Sequence, residues 1–395
     1  MNDRIVILGG RLYMPLLAAA CEAGIRVVLV RHPGAPAYRT PDLCEKVIGI
    51  DPKDFEAVAA AVVEEHRRSP FSRVISIAEE CLVSAAALNE ILGLPGNTEA
   101  SVSLLKDKAL MRKHLATAGV SPVTARIVNS SLEAVRFMSE VGGPIILKPA
   151  SGAGSWNVVR ASSAAEIERA WPVISAAAPI LAEEFLVGRE ISVESFSCEG
   201  RHEIIANTDK TLEGFVEVGH AMPAEIDRET AADVAALVHR FLEVVGLSEG
   251  PCHTEVMLTP AGPRIVESQN RIGGGGIRNL LEISCGLDFM RLAATVPLGL
   301  DPAPKKPATV RGAAVRFLQA EPGIVTAVAG IEEAGQVEGA KLFEPPKPGD
   351  VVPRLASSWD RVNGYVISEG ADVSEAVERC ELVTGMIKIS TEATA

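Results

Sequence analysis

Several features of membrane, secreted and zinc-binding proteins are missing from this 395-residue sequence. No apolar run approaches ~18 residues, the length that a membrane-spanning helix needs. No signal-peptide n-region or cleavage site precedes the first predicted strand, which begins by Arg4. The seven cysteines have no CxxC spacing, which favours reduced, packed thiols over disulfides or zinc ligands. We therefore expect a soluble cytoplasmic protein without membrane partners.

Positive charge is also scarce, because 38 Lys and Arg residues stand against 51 Asp and Glu residues and the net charge is −13. This balance argues against non-specific binding of nucleic acid, although it leaves room for a local basic site that holds an anionic cofactor. The composition is otherwise typical of a globular protein, with 47% hydrophobic and 23% charged residues. A chain of this length predicts two or three domains.

The N-terminal residues predict a doubly wound α/β layer but lack a dinucleotide-binding motif. RIVILGG, a helical stretch to Ala23 and IRVVLV together predict a β-turn-α-β unit. Gly9 and Gly10 are followed by Arg11 rather than by GxGxxG, and the second strand ends at Arg31 rather than at an acid. We therefore interpret this turn as a structural or substrate-facing connection.

A lysine and a glycine-rich loop stand together in PIILKPASGAGS, residues 144–155. The short apolar run predicts a buried strand that delivers Lys148 directly into the loop. Gly152 and Gly154 allow positive φ angles, so that backbone amides can converge on an anion, and Ser151 and Ser155 add hydroxyl donors. The loop alone is equally compatible with a surface hairpin that carries a lysine.

Two further segments flank this loop. SLLKDKALMRKHLATAG predicts one basic helix that ends at Gly119, and Lys108 within it is, taken alone, typical of a solvated helix face. EEFL, residues 183–186, stands where a strand leaves one small domain for the next. A crevice between domains is a common ligand site.

A later hairpin carries a set of polar residues on one face. CHTEVMLTPAGPRIVESQNRIGGGGI predicts two strands joined by a turn at residues 259–263, which places Glu255 opposite Glu267 and His253 opposite Gln269. Facing carboxylates repel unless a positive charge lies between them, and Mg²⁺ is a cation that takes one or two carboxylates. The alternative is an exposed hairpin, but Arg271 and four glycines that follow at once favour a site.

The rest of the chain predicts supporting elements and a final domain. FVEVGHAMP places Glu217 and His220 three residues apart in what we interpret as a polar loop. A helix with one apolar face follows, from about Glu229 to Val245. PAPKKP after Asp301 resembles a linker, and the residues beyond it predict a small α+β domain.

In this order and spacing, KDK, LKP with its Ser/Gly loop, EEFLVGRE, the paired acidic strands and NRIGGGG resemble the ATP-grasp superfamily over most of the chain. FVEVGHAMP and ESQNRIGGGGI are most similar to carboxylate-amine ligases that join amino acids, the group of L-amino acid ligases (dipeptide synthetases) and carnosine-synthase-like enzymes. The resemblance implies an α/β and α+β fold with four parts. These are an N-terminal Rossmann-like pre-ATP-grasp domain (1–105), a small lid subdomain (106–186), a large subdomain (187–302) and a C-terminal α+β domain (303–395).

The resemblance also implies roles at the nucleotide. Lys108 and Lys148 match the two lysines that hold the α and β phosphates, and residues 151–155 match the flexible phosphate loop. Glu183 matches the acid that receives the adenine amino group, and Glu190 matches the acceptor of the ribose hydroxyls. The hinge beside the base matches Glu184, Phe185 and Leu186.

Metal and substrate roles follow in the same way. Glu255 and Glu267 match carboxylates that bind Mg²⁺ or Mn²⁺, and Gln269 occupies the position of the usual metal-binding asparagine, for which Asn270 is a rival candidate. Arg271 matches an arginine near the transferred phosphate. The catalytic set implied is Arg271, Gly274 and Lys148, and the substrate set is Glu217, His220, Arg271, Gly275 and Arg278.

The implied reaction consumes ATP and joins a small carboxylate substrate to a small amine substrate. The carboxylate attacks the γ-phosphate to give an acyl phosphate, and the amine then displaces phosphate to form an amide or peptide bond, with release of ADP. Such phosphoryl transfer needs positioning and charge neutralisation rather than a protein nucleophile. A biotin-carboxylase-like enzyme and a non-catalytic ATP-binding regulatory protein are the alternatives. The resemblance is compatible with a homodimer.

Overall fold

A computed structural model describes residues 3–10, 13–35, 43–177 and 179–393, so that Arg11 of the first turn lies outside the described residues. The N-terminal layer is a parallel sheet in the order β3-β2-β1-β4. Its strands are β1 (Arg4–Leu8), β2 (Arg26–Arg31), β3 (Lys46–Gly49) and β4 (Arg73–Ile75), and its helices are α1 (Tyr13–Glu22), α2 (Phe55–Arg68) and α3 (Leu82–Leu92).

Strand β1 is buried on both faces, which explains its uninterrupted apolar sequence. Ile5 and Ile7 pack in one core cluster, whereas Val6 and Leu8 pack in another. Because side chains alternate along a strand, this division places packed layers on both sides of the sheet. The predicted doubly wound arrangement of this part of the chain is therefore confirmed.

The following segment contains two helices where one basic helix was predicted. They are α4 (Glu99–Lys106) and α5 (Lys108–Ala118). Asp107 separates them, because its extended backbone breaks the first helix and its side chain accepts hydrogen bonds from the amides of Ala109 and Leu110, which caps the second. The predicted end is confirmed, since Gly119 follows α5 in the left-handed conformation.

A small antiparallel sheet carries the lysine and the glycine-rich loop. Its order is β5-β8-β6-β7, with β5 (Ala125–Val128), β6 (Ile145–Pro149), β7 (Val159–Ala161) and β8 (Ile180–Glu184). The helices α6 (Ser131–Val141) and α7 (Ala164–Ile174) pack on it. Lys148 therefore lies near the end of a central strand, directly before the loop.

A larger antiparallel sheet of eight strands, in the order β13-β12-β9-β10-β11-β14-β18-β16, forms the opposite wall. The strands are β9 (Arg189–Cys198), β10 (Arg201–Glu213), β11 (Val216–Met222), β12 (Gly250–Thr259), β13 (Gly262–Gln269), β14 (Gly312–Phe317), β16 (Ala340–Phe343) and β18 (Tyr365–Gly370). Three strands from the C-terminal part of the chain thus extend the same sheet, each antiparallel to its neighbour.

The remaining elements cover this sheet or complete the C-terminal part. They are α8 (Arg228–Val245), α9 (Ile277–Cys285), α10 (Phe289–Thr295), α11 (Ile331–Ala334), α12 (Val373–Met386) and a sheet of β17 (Val351–Val352), β15 (Gly323–Ala329) and β19 (Lys388–Glu392). Helix α8 is capped by Asp227 and ends at left-handed Gly246, close to its predicted bounds. None of the helices in the described ranges has the length and apolarity to span a membrane.

Candidate functional site

Lys148 belongs to a buried ion cluster of two cations around one carboxylate. Its Nζ atom lies 2.6 Å from Oε2 of Glu183, and Nε of Arg112 donates to Oε1 of the same carboxylate at 2.5 Å. Burial raises the pKa of Glu183, but the charges of Arg112 and Lys148 outweigh burial and lower this pKa to about 2. The carboxylate therefore stays ionised, and the cluster keeps an excess of positive charge.

The glycine-rich loop has the backbone conformations that its composition predicted. Gly152 and Gly154 have φ angles of 141° and 72°, and Ser155 also has a positive φ of 57°. Lys108, at the start of α5, reaches across to this loop, because its Nζ donates to the carbonyl of Gly152 at 2.9 Å. The same Nζ lies 3.0 Å from Oε2 of Glu267, so that Lys108 is buried between the loop and the hairpin rather than solvated.

The segment after Glu183 connects the two sheets. The amide of Phe185 donates to the carbonyl of Pro144, and the Glu184 carboxylate accepts from the amide of Thr124. Leu186 is half-buried beside them. Gly188 passes so close to β12 that a Cβ atom there would lie 2.1 Å from the carbonyl oxygen of Leu258, which only glycine permits.

The register of the acidic hairpin is as predicted. Glu255 pairs with Glu267, and His253 pairs with Gln269. Lysines lie against both carboxylates, since Lys108 contacts Glu267 and Lys210 contacts Glu255 at 2.9 Å. The repulsion that the sequence implied is therefore relieved by protein cations.

The same residues fit a hard divalent cation. Oε1 of Glu267 accepts from Nε2 of Gln269 at 2.8 Å, while Oε1 of Gln269 is buried without a hydrogen-bond partner. An unused amide oxygen beside two carboxylates is the kind of open oxygen set that Mg²⁺ uses together with phosphate oxygens. No group of three His, Cys, Asp or Glu residues arranged for a metal occurs within 3–10, 13–35, 43–177 and 179–393. Asn270 points elsewhere, because its amide donates to the carbonyls of Glu249 and Pro251.

Lys210 on β10 is a residue that the sequence analysis missed. Its Nζ atom lies 2.6 Å from Glu190, 3.0 Å from Glu217 and 2.9 Å from Glu255. Burial raises the pKa of Glu190 to about 7 even though Lys210 opposes this shift. The three glutamates come from β9, β11 and β12, so that only the folded sheet brings them together.

His253, on strand β12 of the hairpin, contacts two acids. Its Nδ1 atom lies 3.0 Å from Oε1 of Glu194, and its Nε2 atom lies 3.6 Å from Glu255. Burial lowers the pKa of His253, but the Glu194 charge outweighs burial and raises this pKa to about 9. A protonated imidazole is therefore held between two acids.

Arg271 and the glycine run lie between the hairpin and α9. Nε of Arg271 donates to Oε2 of Glu79 at 2.7 Å, and Lys106 contacts the other oxygen of Glu79 at 3.0 Å. The N-terminal layer thus supplies the acid that orients Arg271. A Cβ atom at Gly275 would lie 2.6 Å from Nε2 of His220, whereas the corresponding position at Gly274 is open.

Glu217 and His220 lie on a strand, β11, which corrects the expectation of a loop. His220 is fully buried, and neither ring nitrogen has a hydrogen-bond partner, although Nε2 lies 3.6 Å from Glu217. Burial lowers the pKa of His220 to about 4, so that its imidazole is neutral. Arg361, from the C-terminal part, also reaches this place by donating to the carbonyl of Glu217 at 3.0 Å. Arg278 is half-buried in the first turn of α9.

Three family models match consecutive parts of the chain: the ATP-grasp N-terminal domain at residues 17–96, the ATP-grasp domain at 141–279, and the L-amino acid ligase C-terminal domain 2 at 316–392. The chain belongs to the ATP-grasp superfamily. It is an enzyme of the ATP-grasp ligase type, and the fold class expected from the resemblance is confirmed.

Individual relatives of this ATP-grasp enzyme are distant in sequence. The L-arginine-specific L-amino acid ligase of Bacillus subtilis is 25% identical over 338 residues, which cover 81% of this chain and 80% of the relative. Carnosine synthase 1 of Gallus gallus is 28% identical over 82% of this chain, but the match spans only 39% of that longer protein. The crystal structure of an L-amino acid ligase from Bacillus licheniformis shares the fold, with a TM-score of 0.83, 22% identity and coverage of 99% of both chains.

Proposed function

We propose that this ATP-grasp enzyme joins the carboxylate of one amino-acid-like substrate to the amine of another, using ATP and Mg²⁺ or Mn²⁺ and forming an acyl phosphate. The observation that carries the proposal is the arrangement of charge across the site. Lys148 and the glycine-rich loop lie on one wall, and the Glu255–Glu267 hairpin lies on the other, with Lys108 touching both walls. Triphosphate and metal need this combination of donors and acceptors.

On the nucleotide side, Lys108, Lys148 and the amides of residues 151–155 bind the phosphates in this proposal. Glu190 takes the ribose hydroxyls, and the hinge at residues 184–186 lies beside the base. Both oxygens of Glu183 are in contact with cations, Arg112 and Lys148. In this proposal Glu183 therefore orients Lys148 in addition to binding adenine. Glu255, Glu267 and Gln269 would hold the metal, which would supply charge neutralisation at the phosphates.

The reaction follows in two balanced steps. A carboxylate oxygen of the first substrate bonds to the γ-phosphorus while the bond to the β–γ bridging oxygen breaks, and ADP leaves with that electron pair. The amine nitrogen of the second substrate then bonds to the acyl carbon, the carbon–oxygen bond to phosphate breaks, and the departing phosphate takes the amine proton. Arg271, oriented by Glu79, and the amides of the glycine run around Gly274 stabilise the negative charge of both steps.

The substrates bind beyond the γ-phosphate in this proposal, among Glu217, His220, Gly275 and Arg278. His220 offers a neutral ring whose two nitrogens are unused by the protein. Glu217 offers a carboxylate, whose pKa is raised by burial but lowered overall to about 2 by Lys210 and His220. An ammonium group and a hydroxyl or carboxyl group are the partners that such a pair recognises.

Release of ADP and phosphate, measured with all pairs of the common amino acids and with each amino acid alone, tests the proposal. We expect release to require at least one amino acid. Mass spectrometry should find a dipeptide, whose mass is that of the two amino acids less one water. Release that requires bicarbonate and biotin instead would favour the carboxylase-like alternative. ATP binding without release under any of these conditions would favour a regulatory protein and overturn the ligase proposal.

A further inference from the structure

Lys210 is the most deeply buried cation of the site. Its side chain is 1% exposed, whereas the side chains of the three glutamates around it are 17–18% exposed. The ammonium is therefore almost fully shielded from solvent, whereas the carboxylates stay partly exposed. Its Nζ atom donates a hydrogen bond to Glu190 at 2.6 Å and lies 2.9 Å and 3.0 Å from carboxylate oxygens of Glu255 and Glu217.

The other two lysines of the site differ in this respect. Nζ of Lys108 contacts one carboxylate and one carbonyl, and Nζ of Lys148 contacts one carboxylate. Lys210, by contrast, contacts three carboxylates that come from three different strands. These are the contacts of a residue that holds other side chains in place.

We propose that Lys210 is a positioning residue that acts as the resident cation of the glutamate cluster Glu190, Glu217 and Glu255. It holds these carboxylates at fixed separations. In the protein without nucleotide, it also occupies the point at which the carboxylates would otherwise bind a divalent cation. The inference rests on the proposed function, because that function assigns the three glutamates to the ribose, the substrate and the metal. One buried ammonium thereby links all three ligands.

The distances support this assignment. Three carboxylate oxygens lie 2.6–3.0 Å from one nitrogen, and Ca²⁺ or Mn²⁺ requires oxygens only slightly closer, at ~2.1–2.6 Å. Removal of the ammonium takes away the one cation that all three carboxyl groups contact, so that a divalent cation can take its place. A small inward movement would then create a metal site that does not depend on ATP.

The first test uses Lys210→Met, which keeps the length of the side chain but not its charge. Without nucleotide, millimolar Ca²⁺ or Mn²⁺ should raise the thermal midpoint of the variant by about 5 °C while leaving the wild-type midpoint unchanged. Calorimetry with a non-hydrolysable ATP analogue and Mg²⁺ should show binding at least ~10-fold weaker than in wild type. Lys46→Met, which removes a lysine paired with Glu65 outside the site, is the matched control and should show neither change.

A second variant separates positioning from simple loss of packing, and it applies even if Lys210→Met folds only when a metal is added. Lys210→Ala should recover affinity for the ATP analogue when n-propylammonium is supplied, whereas n-propanol, of similar shape but neutral, should have no effect. Equal analogue affinity in all variants, no new metal stabilisation, or equal rescue by the alcohol would each overturn the proposal. None of these measurements uses turnover. The proposal for Lys210 can therefore be tested even if the ligase assay fails, and the two failures can be told apart.

Discussion

Two buried ion clusters on opposite walls of the site share their charges in opposite ways. In one, two cations, Arg112 and Lys148, share the carboxylate of Glu183. In the other, three carboxyl groups, those of Glu190, Glu217 and Glu255, share the ammonium of Lys210. In the proposed function the first cluster lies at the phosphates and the second lies beside the metal.

The same side-chain type behaves differently in the two clusters. Two cations lower the pKa of Glu183 to about 2 against the effect of burial, whereas burial and a neighbouring Glu255 hold the pKa of Glu190 at about 7 despite Lys210. Burial raises the pKa of both groups. Two cations outweigh burial at Glu183, whereas the shared charge of Lys210 does not outweigh it at Glu190.

Lys148→Met should cause the largest loss of nucleotide affinity, because it removes the excess charge of the first cluster. We expect binding of an ATP analogue to weaken by ~1000-fold in calorimetry. The fold should persist, since Glu183 keeps Arg112 as its partner. Lys113→Met, which removes the same charge from the exposed face of α5, should bind normally, and wild-type affinity in Lys148→Met would remove the loop from the site.

Glu183→Gln should remove the negative charge of the first cluster and leave two buried cations uncompensated. We expect it to lower the free energy of unfolding at pH 7 by about 3 kcal/mol. The pKa of Glu183 falls from 4.5 to about 2 on folding, so its contribution is complete above pH 4.5 and is lost as the pH falls towards 2. Urea unfolding at pH 7 and pH 3 should therefore show a difference from wild type that shrinks in acid.

Glu140→Gln is the matched control for that experiment. Glu140 also pairs with an arginine, Arg126, at 2.6 Å, but on the protein surface. Water screens this pair, so its loss should affect unfolding far less. If both glutamine variants behaved alike, the buried cluster would have no special electrostatic role.

The double variant Glu255→Gln, Glu267→Gln tests the metal site proposed at the hairpin. Lys108, Lys210 and His253 each lose a carboxylate partner, so we expect the protein to fold with a lower free energy of unfolding than wild type. The Mg²⁺ concentration that half-saturates nucleotide binding should rise by ~30-fold, because two oxygen ligands become neutral. A normal Mg²⁺ requirement would show that the metal binds elsewhere.

The sequence allowed prediction of the parts of both clusters that depend on local periodicity. Alternation about a turn at residues 259–263 predicted Glu255 opposite Glu267, and this pair is present. The turn itself is tighter, with Thr259 paired to Gly262, and a register shift between Glu255 and Val256 compensates for the difference. Arg112 could have been found as well, because it lies four residues after Lys108 and shares the buried helix face with Met111. The break at Asp107 was missed because a basic helix pattern continues through it.

Lys210 could not be located in this way. Its three partners come from strands that are neighbours or near neighbours only in the order β12-β9-β10-β11. That order depends on long-range pairing, and a lysine in a polar strand is ordinarily solvated. Arg361 was missed for the same reason, since 144 residues separate it from Glu217.

His220→Ala should cause the smallest effect and should sharpen the boundary between nucleotide and substrate. His220 is neutral and fully buried, and its two nitrogens have no hydrogen-bond partner in the protein. If the proposed substrate site is correct, the loss of His220 removes a hydrogen bond to the substrate. The KM for an amino acid should rise by about 5-fold, while the KM for ATP should stay within error. His239→Ala, on α8, should change neither value. A fall in kcat alone would place His220 at the chemical step, and unchanged values of both constants would leave the β11 residues without a role in recognition.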